Sequence, residues 1–391
     1  MNANSGRRTF GALLLAGVFA NGRASAQVAS PSVSIGFGVD TSIADVGSVV
    51  SLVRAYLTKP DSSARSTGLW STATEFDRRV GDITAGQVNQ GFPATVVGVI
   101  SDGPGDSVYV VKILYARADS AQGISPLALQ RLYAVRESGA PYGFRLASAL
   151  PRVTRNWERR TKGHVTFWYV PGHKPNPAKI DRAARFVDSV AKLFSVPPPP
   201  HLDVYVGDSM DEVQRAIGLD FFPQASGPGQ TSGGLTIGSI LLMGNPAIGE
   251  DYLHEFVHAV LGPSLPAGNR LVPEGVATWL GGSRGRAARE MYALLHSYQQ
   301  PDSTLTFTGL VRNNFNVPDA DRSTNLLYGT GALMVNAVYR KAGIAGVRRI
   351  YQLRAAPNDL LHALARELGI ADDDATLNAW WRAEAARAAG S

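Results

Sequence analysis

The chain has 391 residues, with 38 basic and 32 acidic side chains, 7 histidines, no cysteine and 45% hydrophobic content. A formal charge of +6 over that length, with no long basic cluster, argues against nucleic acid as a partner. The lack of cysteine excludes a disulfide framework, a lipid-modified cysteine and thiolate metal ligands.

The N-terminus reads as a targeting segment. Arg7 and Arg8 form a basic start, residues 10–20 are an apolar run too short to span a bilayer, and Ala24-Ser25-Ala26 supplies a small-residue cleavage site. Residues 1–26 are therefore expected to be a signal peptide. The mature chain is then periplasmic or extracellular, exported by the Sec route or, given the paired arginines, by a twin-arginine route. Arg7, Arg8 and Arg23 carry three of the six net positive charges, so the mature chain is only mildly basic. No later segment reaches about 18 uncharged apolar residues, so no membrane span is expected in the mature chain. The remaining length suits two globular domains.

Residues 43–57 place Ile43, Val46, Val49, Val50, Leu52, Val53, Tyr56 and Leu57 at helical spacing. Strand-like runs follow at 94–100, 107–116, 129–137 and 142–146. Gly103-Pro104-Gly105-Asp106 and Ser138-Gly139-Ala140-Pro141 mark turns between them. One helix and an antiparallel meander predict an α+β domain over 35–150. In pattern it resembles the cone-shaped fold of SnoaL and nuclear-transport-factor-like proteins. It has no titratable cluster, which points to a spacer or binding role.

A charged stretch at 151–163 reads as a domain boundary. A strand is expected over 164–170, an amphipathic helix over 181–194, a stiff connector at Pro197-Pro198-Pro199-Pro200, and further strands over 202–206 and 233–243. Gly227-Pro228-Gly229 is expected to lie in a mobile loop.

His254-Glu255-Phe256-Val257-His258 carries the pattern H-E-x-x-H. Two histidines four apart lie one helical turn from each other on the same face, so both imidazoles reach one metal ion. With 7 histidines and 10 glutamates in the chain, chance assembly of the pattern has a probability of only about 0.003. A catalytic zinc site needs a third protein ligand. The longer pattern H-E-x-x-H-x-x-G-x-x-H fails, because Leu261 and Ser264 stand where it requires glycine and histidine. Glu274 is the better candidate. Gly262-Pro263 stops the first helix, a short loop follows, and a second helix starting near Pro273 presents Glu274 in its first turn. His164, His173, His201, His296 and His362 have no ligand spacing to the motif and read as surface or packing residues.

His254-Glu255-x-x-His258 followed by Pro273-Glu274-Gly275 resembles the gluzincins, and especially the peptidase MA-like superfamily. The resemblance implies zinc on His254, His258 and Glu274, with Glu255 as general base. Related aminopeptidases usually have asparagine where this chain has Pro273. Tyr328-Gly329-Thr330-Gly331-Ala332 is similar to a Y-x-x-G-A segment that opens a helix in those enzymes, whose tyrosine steadies the tetrahedral oxyanion. The C-terminal segment, with Leu360-Leu361, Ala363-Leu364 and Trp380-Trp381-Arg382, resembles the helical end of the same group. The aminopeptidases' G-x-M-E-N strand, whose glutamate holds a free amine, is not visible; Met243-Gly244-Asn245 has the flanking letters without the carboxylate.

The expected fold class is thus α+β, with a thermolysin-like gluzincin domain over 160–391: a small mixed sheet, a zinc helix and a mostly helical C-terminal part. The expected activity is zinc-dependent hydrolysis of a peptide or protein substrate, endopeptidase in preference to aminopeptidase. A zinc-containing peptide-binding module without turnover is the competing reading. Retention of Glu255 favours chemistry, because zinc affinity alone does not require it.

Overall fold

A computed structural model describes residues 33–58, 68–71, 92–119, 123–222, 233–265, 267–353 and 356–390. The expected signal peptide and Gly227-Pro228-Gly229 lie outside them. Eleven α-helices and two mixed sheets are present among the described residues.

The first sheet contains β1 (Val33–Ile35), β2 (Ala94–Ser101), β3 (Val108–Asp119), β4 (Gly123–Arg136) and β5 (Phe144–Ala147) in that order. Only the β1–β2 pair is parallel among these neighbours. Helix α1 (Ala44–Leu57) buries Val49, Leu52, Val53 and Tyr56 in the same core as the sheet, as its apolar spacing predicts. Strand β4 begins six residues before its expected start at Leu129. Pro126 is the reason it was hidden: it sits opposite Ala116 at a register shift, and the Ala116 N–H donates outside this pair, to the Pro93 carbonyl at 3.2 Å.

The charged stretch expected to be a boundary instead forms the short helix α2 (Leu150–Val153) and an exposed strand, β6 (Glu158–Lys162). Charged side chains on an edge strand discourage pairing with other chains, and locally they read as linker. Strand β7 (Val165–Tyr169) pairs with β6. Helix α3 (Pro177–Phe194) begins before its apolar stripe, because Asn176 accepts from the Ala178 and Lys179 N–H groups and Pro177 suits the first turn. After β8 (Leu202–Val206) and α4 (Met210–Ala216), the short strand β9 (Leu219–Phe221) pairs with β4 as the sixth strand of the first sheet. The stretch 233–243, expected as one strand, is a hairpin of β10 (Gly234–Ile237) and β11 (Ile240–Met243), with Gly238 at φ 61° in its turn.

The second sheet runs β10-β11-β8-β7-β6 and separates two cores. Val165, Phe167, Tyr169, Val204, Val206, Leu241 and Met243 pack with the helices on one side. Tyr205 and Leu242 point the other way, toward the first sheet, as the two-residue alternation of strands requires. The helical side contains α5 (Leu253–Leu261), α6 (Leu271–Gly281), α7 (Ala288–Gln299), α8 (Phe307–Arg312), α9 (Ala320–Gln352), α10 (Pro357–Leu368) and α11 (Asp374–Ala389). Helix α9 bends at Gly343, which has φ 63° and ψ −167°. No helix among the described residues is long and apolar enough to cross a membrane.

Candidate metal centre

Helix α5 is only nine residues long, yet nearly all of it is buried. Phe256, Val257, Val260 and Leu261 pin it in the core, which leaves His254 and His258 one turn apart. Its first turn lies against the end of α6: a Cβ on Gly281 would stand 2.4 Å from the His254 backbone nitrogen. Helix α6 starts at Leu271, two residues before the expected Pro273, with the Asn269 side chain accepting from the Val272 N–H at 3.0 Å. Glu274 therefore sits in the first turn and is 5% exposed.

His254, His258 and Glu274 come together. His254 Nε2 lies 3.0 Å from Glu274 Oε2 and 3.2 Å from His258 Nε2, and His258 Nε2 lies 3.4 Å from Glu274 Oε2. Ligand atoms at tetrahedral angles and zinc-like bond lengths stand roughly 3.3–3.4 Å apart, so this triangle fits one zinc ion with little movement. The proton positions support the same conclusion. His254 Nδ1 is 2.9 Å from the Gly282 carbonyl oxygen, which can only accept, so Nδ1 carries the hydrogen. In the neutral ring Nε2 is then a lone pair aimed at a carboxylate oxygen. A cation between them removes that repulsion, and the Gly282 carbonyl fixes the tautomer that a metal requires.

Without metal, the carboxylate and the imidazoles favour one another's charged forms. Burial would raise the Glu274 pKa, but the imidazoles of His258 and His254 overcome it and hold the carboxyl well below its ordinary range. Burial likewise disfavours the His258 imidazolium, yet the Glu274 carboxylate outweighs this and lifts the His258 pKa above its usual value. Three ligand atoms that converge on one point are arranged to share a metal ion.

Glu255 is 8% exposed, and its Oε2 accepts a 2.7 Å hydrogen bond from the Thr236 hydroxyl on strand β10. The strand packs closely there: a Cβ on Gly234 would lie 2.9 Å from Glu255 Cγ. Tyr252 stacks on His254 with ring centroids 5.6 Å apart. Tyr328 also reaches the centre, its ring centroid 5.4 Å from that of His254. It does not open a helix, as its motif suggested. Helix α9 starts at Ala320, with Asp319 accepting from the Arg322 N–H, and Tyr328 lies within it. Burial and the charge of Glu274, with Tyr252 and Glu255, push the Tyr328 phenol well above its ordinary pKa, against the opposing Arg270 guanidinium. The hydroxyl is thus a protonated donor.

Thr236, Tyr252 and the Gly282 carbonyl were not marked by the sequence motif. Thr236 had a signal: it is a polar residue in the mostly apolar stretch 233–243 that precedes the motif helix.

Gly275 and Gly331 explain how α9 brings Tyr328 so near. A Cβ on Gly275 would stand 2.5 Å from the Gly331 carbonyl carbon, and one on Gly331 would stand 2.8 Å from Gly275 Cα. The two helices cross backbone to backbone at this pair. Gly275→Ala is expected to destabilise the fold by about 1–3 kcal/mol or more, since rigid main chain stands in the way. Chemical denaturation would measure it, and an unchanged midpoint would show that the crossing yields without cost.

No protein-family model and no curated protein matches this sequence. Among solved structures, an M1 zinc metallopeptidase from Deinococcus radiodurans, a mutant bound to a Tyr-Ser-Ala substrate, is similar over 74% of this chain at 18% identity and a TM-score of 0.35. A second structure, a two-domain M1 zinc metallopeptidase mutant bound to L-tryptophan, is 16% identical over 74% of this chain, also with a TM-score of 0.35. The chain spans 63% of the length of each of those chains. Similarity at this level assigns no activity to this protein.

Proposed function

We propose that this protein is an exported zinc-dependent peptide-bond hydrolase of gluzincin type. The observation that carries the reading is the convergence of His254, His258 and Glu274 on one point, with Glu255 adjoining a ligand on the same buried helix. Those three side chains would hold the ion. Zinc, when bound, supplies Lewis acidity that lowers the pKa of water and polarises a carbonyl. Glu255 takes the proton of the attacking water and returns it to the leaving amine. The Thr236 hydroxyl holds one Glu255 oxygen, which leaves the other free for proton transfer. The Tyr328 phenol donates to the negative charge that develops on the scissile carbonyl oxygen.

The substrate is a peptide or protein, with internal cleavage preferred, because the strand beside Glu255, Gly234–Ile237, carries no carboxylate to hold a free amine. We assign the thermolysin-like peptidase domain to 160–391, with β9 within it reaching across to complete the first sheet, an accessory domain of SnoaL-like type to 35–150, and a signal removed on export by the Sec or twin-arginine route to 1–26.

The deciding experiment is metal analysis of purified protein joined to a peptide-library digest. Stoichiometric zinc with cleavage supports the reading. Zinc without cleavage leaves the binding module.

Tyr328→Phe keeps the ring and removes the donor. Both kcat and kcat/KM should fall together, by about 10²-fold, with little change in KM or melting temperature. Wild-type kcat in that variant would remove Tyr328 from the chemistry.

A further inference from the structure

Arg270 directly precedes α6 and has helical backbone angles, φ −85° and ψ −35°. Its carbonyl accepts from the Glu274 N–H at 3.3 Å, so the two side chains leave the same helical face one turn apart. An arginine four residues before a glutamate is placed to pair with it. Here Glu274 is already engaged by two imidazoles, and Arg270 makes no hydrogen bond or ion pair through its side chain among the described residues. Its Nε is fully enclosed and has no hydrogen-bond partner. The preceding loop is tied down: Gly268 N–H donates to the Tyr351 carbonyl at 3.5 Å, and the Asn269 amide to the Leu353 carbonyl at 3.4 Å.

The charges leave a gap. A dication held by neutral imidazoles and Glu274, with Glu255 beside it, sums to zero and leaves the guanidinium uncompensated. A half-buried guanidinium without a partner is costly, and its planar fork matches a carboxylate at two points.

We propose that Arg270 is a carboxylate receptor beside the metal centre, so that the preferred substrate is a peptide with an acidic group close to the bond cut. This rests on the peptidase reading for its substrate, but not for its test. The carboxylate comes either from an acidic side chain or from a free C-terminus; both present the same two oxygens.

The test is a binding measurement on the zinc-loaded full-length protein, with two small probes. 2-Benzylsuccinate offers one carboxylate to the zinc and a second to the guanidinium, whereas 3-phenylpropionate offers only the first. Wild type should prefer the dicarboxylate by at least about tenfold. Arg270→Gln should bring that ratio close to one while keeping zinc and melting temperature. Arg270→Lys keeps charge but loses the fork, so its ratio should fall in between; it serves if the glutamine variant does not fold. No preference in wild type, or an undiminished ratio in a folded variant, overturns the proposal.

Peptide pairs on the zinc-loaded Glu255→Gln protein separate the two sources. Tighter binding of C-terminal amides containing glutamate rather than glutamine identifies a side chain, and tighter binding of free acids than of amides identifies a C-terminus. Equal binding of all four overturns the proposal. Because binding is read without turnover, absent hydrolysis with an intact ratio would sink only the peptidase reading.

Discussion

Replacing Glu255 by glutamine is expected to leave zinc bound and to lower kcat/KM by about 10²–10⁴-fold, the loss typical of a missing general base. The substitution isolates the proton-accepting role unusually well in this fold. The Glu255 side chain lies beneath strand β10, and its Oε2 accepts from the Thr236 hydroxyl at 2.7 Å. A glutamine amide oxygen accepts the same bond, so helix and strand keep their contact. The ligand atoms belong to His254, His258 and Glu274, none of which is changed. What disappears is a carboxylate able to take and return a proton. Zinc content and peptide hydrolysis measured on the same preparation decide the matter: unchanged hydrolysis by zinc-loaded Glu255→Gln would exclude the mechanism. If the protein only binds peptides, wild type and variant will bind alike and neither will turn over.

How much of this was readable from residues alone depended on the range of the interaction. The approach of Glu274 to the two histidines was readable because it is punctuated locally: Gly262-Pro263 ends one helix, and Asn269 to Pro273 opens the next. The segment around Tyr328 stands out in the sequence for a reason that the fold changes. Gly329 and Gly331 look like helix-boundary residues in one dimension, but Gly331 is there because α9 crosses α6 at Gly275 with no room for a Cβ. The true start, capped by Asp319, lies well upstream. The hairpin turn at Gly238-Ser239 was missed because Leu235 to Met243 is apolar enough to pass for one strand. Strand β9 was missed because its partner, β4, is about ninety residues away and three residues carry little periodicity. Thr236 and Arg270 show the same limit at the site. A hydroxyl in a strand and an arginine before a helix acquire meaning only when folding shows what stands opposite them.

Glu274→Ala should lose zinc while keeping the fold. Two neutral imidazoles remain, but the site loses its only charged ligand, and affinity should fall by more than the roughly 10–100-fold that removal of an outer-shell partner costs. Little else depends on this carboxylate. Helix α6 is started by Asn269, packs through Val272, Val276 and Ala277, and accepts alanine at position 274 at no cost in helix propensity. In the metal-free protein the change also removes the buried carboxylate that holds the His258 pKa above its usual value. The first sheet and its core lie on the far side of the second sheet and should melt as before. Zinc should raise the wild-type stability by about 2.7 kcal/mol at one hundred times its dissociation constant, and an affinity loss of about 100-fold or more should cut this increment to about 0.4 kcal/mol or less in the variant at the same zinc concentration. Atomic emission after exhaustive dialysis, alongside melts with and without zinc, reads both effects. Stoichiometric zinc surviving dialysis of Glu274→Ala would mean that another residue completes the site.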